Sequence, residues 1–103
     1  MTPYAILSQA IESKQCLRLL IAGGGTRYIC PYALGFKSGR LRLLAFQFAG
    51  DSVAGLVSGG EWRTFFLTDI AAAVPIEAIW RDAPLSTAKL EACLDRIQCR
   101  AKA

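Results

Sequence analysis

Apolar positions recur at helical spacing over the first turns of the chain and at strand spacing over most of the remainder. Thr2 stands as an N-cap with Pro3 at the first helical position, and Ile6, Leu7, Ala10 and Ile11 share one face, which predicts a helix from about Pro3 to Lys14. The run Cys16-Leu17-Arg18-Leu19-Leu20-Ile21-Ala22 is too short for a second helix and reads as a strand. Gly23-Gly24-Gly25 then turns it into a hairpin partner beginning at Thr26. After the turn Lys37-Ser38-Gly39, Arg40 to Phe48 opens with charged and apolar residues alternating, as in a half-exposed strand with Arg40 and Arg42 on one face. Ala49 to Gly60, rich in Gly, Ser and Ala, predicts a long connection tucked down by Val53, Leu56 and Val57. Glu61 to Leu67 and Ile70 to Ile76 supply two more strands, with Thr68-Asp69 as a bend or bulge and Pro75 pushing the last strand to an edge. Ser86 is an N-cap and Leu85 is placed to pack on Leu90. A second helix is therefore predicted over about 86–101, with Leu90, Leu94 and Ile97 as its buried stripe. The expectation is a single α+β domain, mainly β, with five strands between two helices.

Composition narrows the function classes. The 103 residues are 53% hydrophobic and 19% charged, a balance that excludes a disordered chain and leaves apolar surface over for self-association. Twelve Lys/Arg against eight Asp/Glu give +4, enough to attract a polyanion and well short of a histone-like excess. No apolar run approaches the roughly 20 residues of a membrane span, and Met1-Thr2-Pro3-Tyr4 lacks the start of a signal peptide, so the expected location is cytoplasmic. Four cysteines (Cys16, Cys30, Cys93 and Cys99) have no CxxC spacing and there is no histidine, so neither a metal nor a cofactor is expected. The thiols are expected to be reduced and buried, with Cys16 and Cys30 near each other on paired strands.

The chemistry concentrates in two segments, Arg27-Tyr28-Ile29-Cys30-Pro31-Tyr32-Ala33-Leu34 and Arg63-Thr64-Phe65-Phe66-Leu67-Thr68-Asp69-Ile70, each opening an apolar run with an arginine. Guanidinium forks pair with phosphate or carboxylate while apolar neighbours exclude water, a combination suited to an anionic, partly flat ligand. The triple glycine is not a phosphate loop, because no Lys-Ser/Thr comes after it and no helix begins there.

The order of elements resembles the WYL domain over about Leu7 to Val74. The resemblance rests on Ala10-Ile11 in the helix, Arg27 with Pro31 and Leu34, Gly39 to Phe46, and Arg63-Thr64-Phe65 with Leu67 and Ile70. It implies a five-stranded, strongly bent Sm-like or SH3-like barrel with an N-terminal helix. It further implies a ligand-sensing module of bacterial transcription regulation or defence, holding nucleic acid fragments or nucleotide-like molecules through arginines and aromatics. The chain departs from the pattern in carrying Leu41-Arg42-Leu43 at the triplet that names the family, Phe66 where a second arginine is usual, and Thr68-Asp69 for Asp-Arg. These changes remove a motif cation and leave Arg42 to supply charge from the neighbouring strand.

Two function classes fit these residues. The first is a ligand-binding module for single-stranded nucleic acid or a nucleotide-like anion, using Arg27, Arg42 and Arg63 with Tyr28, Tyr32, Trp62 or Phe46 as stacking surfaces. The second is a protein-interaction module, a homodimer or a regulatory protein's partner, with Trp80-Arg81 as interface anchors. Catalysis is not expected: histidine is absent, and Asp51, Glu61, Asp69 and Glu77 show no spacing that pairs two carboxylates.

Overall fold

The computed structural model describes residues 2–51, 55 and 59–102; the expected tucking by Val53, Leu56 and Val57 lies outside them. Helix α1, Pro3–Ser13, begins where Thr2 accepts a hydrogen bond from the Ala5 N–H and ends at Lys14, which adopts the left-handed conformation at φ 53° and bonds back to Ala10 and Ile11. Its buried side chains are Leu7, Ala10 and Ile11, three of the four predicted. Five strands come next in a largely predicted order: β1 Leu17–Ile21, β2 Thr26–Lys37, β3 Arg40–Gly50, β4 Glu61–Phe66 and β5 Ile70–Pro75. The expected bend at Thr68-Asp69 is a 3₁₀ turn, Leu67–Asp69. Helix α2, Thr87–Cys93, and strand β6, Arg96–Arg100, complete the described elements.

All strand pairings are antiparallel, in the order β4-β3-β2-β1-β5, with β6 joined to β2. β5 is at an edge, where Pro75 costs the ladder nothing. The twelve-residue β2 organises the sheet. Its first half pairs with β1, its second half with β6, and both halves with β3. The change of partner falls at a bulge between Pro31 and Ala33 that leaves Tyr32 without a β3 partner. Proline has no N–H to give to a ladder, so a bulge is where it is tolerated in a central strand.

The second helix is much shorter than 86–101. It ends at Cys93, Leu94 is extended, and the segment read as two further turns is β6. Leu90 and Leu94 are buried as expected, whereas Ile97 is 42% exposed. The reason is non-local: without β6, the second half of β2 would carry unpaired backbone groups on its far side, and Ala33, Leu34, Gly35 and Phe36 pair instead with Arg100, Cys99, Ile97 and Arg96. Gly35 admits this approach, since a Cβ there would lie 2.1 Å from the Arg96 carbonyl oxygen. Asp95 secures the junction by accepting from the Ser38 N–H at 2.8 Å and from Lys37 at 3.3 Å, contacts that hold its carboxyl below the usual range.

The core lies between α1 and one face of the sheet, where Leu7, Ala10 and Ile11 meet Leu17, Leu19, Ile29, Leu34 and Leu43. On the opposite face Ala33 and Leu44 are covered by Leu90 and Leu94, with Trp62, Leu85 and Cys93 against them. Leu85 thus packs against the cluster that includes Leu90. No helix among the described residues is long and apolar enough to cross a membrane.

Candidate ligand-binding cleft

Residues paired across an antiparallel ladder share a face, so the register sorts the predicted site residues. Arg42 is paired with Phe66, Leu44 with Thr64 and Phe46 with Trp62, which sets Arg42 and Trp62 on the α2 side. Ala45 is paired with Arg63 and Gln47 with Glu61, which sets Arg63 on the other. The expected single surface built from Arg27, Arg42 and Arg63 is therefore divided between two faces of the sheet.

On one face, Gln47 is fully buried, donates to the Ala49 and Asp51 carbonyl oxygens at 3.0 and 2.8 Å, and accepts from Arg27 at 3.5 Å. Arg63 pairs with Glu61 and also donates to the Gly55 carbonyl at 3.2 Å. The two motif arginines thus belong to one polar cluster, Arg27–Gln47 and Glu61–Arg63, joined by the β3–β4 register. Arg27 also stands 5.9 Å from the centre of the Phe65 ring.

On the opposite face the aromatic residues gather. The Tyr32 and Trp62 rings meet edge to face at 4.8 Å, Trp62 and Phe46 at 5.5 Å, and Tyr32 lies 4.9 Å from Trp80. The segment 76–86 between β5 and α2 is strapped over these rings. Tyr32 donates its hydroxyl proton to the Arg81 carbonyl and accepts from the Ala83 N–H at 3.0 Å. Cys30 Sγ accepts from the Arg81 N–H at 3.4 Å, and the Trp62 indole donates to the Pro84 carbonyl at 3.2 Å. Burial pushes the Tyr32 phenol up from its ordinary value. It does the same to the Cys30 thiol, which reaches about 12, with the neighbouring Cys16 adding to the rise.

Between this strap, β4 and α2 opens a cleft of about 630 Å³, with Phe46 and Trp62 among its walls and Arg81, Lys89, Glu61 and Asp82 around them. A smaller recess of about 220 Å³ shares Trp62 and Lys89 and adds Arg42, Thr64 and Cys93. Arg42 donates to Thr64 Oγ1 at 2.6 Å and to the Cys93 carbonyl at 3.3 Å, and its buried Nε has no hydrogen-bond partner. Arg81 lies 3.9 Å over the Phe48 ring. The arrangement offers two ring surfaces flanked by three cations, Arg81, Lys89 and Arg42, with Asp82 at the rim of the larger hollow.

Of the predicted residues, Trp62 lines both hollows, Phe46 the larger and Arg42 and Arg63 the smaller, and Tyr32 supports the strap from behind. Arg27 and Tyr28 line neither. The sequence pattern does not point to Lys89, which reads as a solvated helix position, and it offers Arg81 only as an interface anchor beside Trp80, not as a neighbour of Trp62. The folding of the connection across β3 and β4 brings Arg81 to the cleft that Trp62 and Lys89 also line. No cluster of three or more metal-ligating side chains occurs among the described residues. No protein-family model, curated protein or solved structure matches the chain.

Proposed function

We propose that this domain is a binding module for an anion that carries a flat ring, single-stranded nucleic acid or a nucleotide-like molecule, seated in the cleft over Phe46 and Trp62. The observation that carries this reading is the conjunction of an aromatic wall with Arg81, Lys89 and Arg42 around two adjoining hollows. The larger volume falls in the range of roughly 300–1,000 Å³ typical of small-molecule sites. Base–aromatic stacking contributes about 1–3 kcal/mol per base and tolerates any sequence, which suits a sensor of fragments.

The finer fold reading, an Sm-like or SH3-like barrel of the WYL type, is supported by the strand order β4-β3-β2-β1-β5, the bulge in β2 and the 3₁₀ turn between β4 and β5. With it goes the proposed setting, a bacterial regulatory or defence protein acting in the cytoplasm without catalysis. A second reading, a protein-interaction surface, is favoured by one observation. Leu20 and Val74 are exposed on neighbouring strands, both on the face carrying Arg18, and Ile79 is 85% exposed.

Quenching of tryptophan fluorescence by a short single-stranded oligonucleotide and by a mononucleotide tests the first reading. Saturable quenching that is lost in Trp62→Phe and kept in Trp80→Phe supports it. Absence of quenching at low salt, with a mass that rises with concentration, transfers the function to the second.

A further inference from the structure

Leu17 is paired with Ile29 at the end of the β1–β2 ladder, so the next step along each strand sets Cys16 across from Cys30. Their sulfurs are 3.7 Å apart and both residues are buried. Directly opposed residues of an antiparallel pair have Cα separations of roughly 4.5–5.5 Å, inside the range that a disulfide spans. The pair is not isolated from the cleft: Cys30 Sγ is also the acceptor for the Arg81 N–H, and Arg81 flanks the proposed ligand.

We propose that Cys16 and Cys30 are an oxidisable cross-strand pair, whose disulfide alters the attachment of the 76–86 strap at Arg81. The oxidant is a low-molecular-weight disulfide such as glutathione disulfide. One cysteine thiolate attacks it to form a mixed disulfide and releases one glutathione. The second cysteine then displaces the other glutathione, forming the Cys16–Cys30 bond. Two electrons pass from the cysteine sulfurs to the reagent, and the two thiol protons leave on the released glutathiones.

Closing the bond draws the sulfurs from 3.7 Å to about 2.05 Å, which moves Cys30 Sγ relative to the Arg81 N–H it now accepts. Burial and the high thiol pKa of Cys30 make the exchange slow and dependent on local opening. Cys93 and Cys99 are less buried, lie on α2 and β6 and are not part of this pair. This inference does not depend on what the cleft holds.

The test is peptide mapping by mass spectrometry after the folded domain has been held in glutathione disulfide, alongside the amide NMR spectrum. The expected result is a Cys16–Cys30 linkage in wild type and in the Cys93→Ser, Cys99→Ser double variant. A shift of the Arg81 amide and a melting temperature higher by about 10 °C should accompany it, since a short loop is closed. The linkage should be absent in Cys16→Ser. Cys16 and Cys30 remaining as thiols, or carrying separate glutathione adducts, overturns the proposal. A linkage that leaves the Arg81 amide unmoved overturns its connection to the strap.

Discussion

Tyr32 and Trp62 stand edge to face, ring centres 4.8 Å apart at 72°, and each hydrogen-bonds the same crossing segment, Tyr32 at Arg81 and Ala83 and Trp62 at Pro84. This contact couples the β2 bulge to the cleft wall. The bulge turns Tyr32 out of the β2–β3 ladder, its hydroxyl fixes the strap, and the strap bounds the hollow beside Trp62.

Tyr32→Phe keeps the ring contacts and removes both hydrogen bonds to the strap. The expected cost is about 1–3 kcal/mol, because the Arg81 carbonyl and the Ala83 N–H lose a partly buried partner. Urea denaturation measures it, and an unchanged midpoint would show that the strap is held without the hydroxyl.

Alkaline pH should weaken the same attachment. Tyr32 and Cys30 both have folded pKa values above their ordinary 10.0 and 9.0. The folded state therefore holds these protons more tightly than the unfolded chain. The Cys30 contribution is full below about pH 9 and is lost as pH rises toward 12, and the Tyr32 contribution is likewise full below its ordinary 10.0 and is lost as pH rises above it. Denaturation of the reduced protein at pH 8, 10 and 11 should show falling stability, with a shallower fall in Cys30→Ala; a flat profile would contradict the assignment.

Gly35→Ala tests the correction at the C-terminal end. A Cβ 2.1 Å from the Arg96 carbonyl cannot be accommodated without separating β6 from β2. We expect a loss of about 2–4 kcal/mol and faster hydrogen exchange over the strand Arg96–Arg100. Undiminished protection there would mean that β6 does not depend on this close approach.

Leu43→Ala and Leu94→Ala each remove a fully or nearly fully buried side chain, one from each side of the sheet, and should cost about 2–5 kcal/mol. Arginine changes should separate from these. Lys89→Ala and Arg42→Ala lie at the hollows and should weaken oligonucleotide binding, whereas Arg27→Ala, on the opposite face, should leave it within about twofold. A larger loss from Arg27→Ala than from Lys89→Ala would move the ligand to the Arg27–Gln47 face.

Local signals made the first helix, the glycine hairpin and the edge position of β5 legible in the sequence. The caps at Thr2 and Ser86, the turn at Lys37-Ser38-Gly39 and Pro75 each act over a few residues. The proximity of Cys16 and Cys30 was legible too, because a short turn fixes the register. β6 was not: Leu90, Leu94 and Ile97 fit a helical stripe, while Arg96-Ile97-Gln98-Cys99-Arg100 also alternates with strand period. The choice is made by the unpaired side of β2, a demand that comes from elsewhere in the chain. The same holds for the cleft. Arg42 and Trp62 were legible as a cation and a ring on neighbouring strands, but the side each faces is set by the bulge and register. Arg81 and Lys89 join them only through the strap.

Seating of a ligand over Phe46 and Trp62 is tested by a heteronuclear NMR titration of the labelled domain with a mixed-sequence single-stranded oligonucleotide, at low and at moderate salt. Shifts should concentrate at Phe46, Trp62, Arg81 and Lys89, and should weaken with salt yet survive it, since stacking is retained when charge is screened. Shifts confined to the Arg27–Gln47 face, or no shifts at low salt, would contradict it.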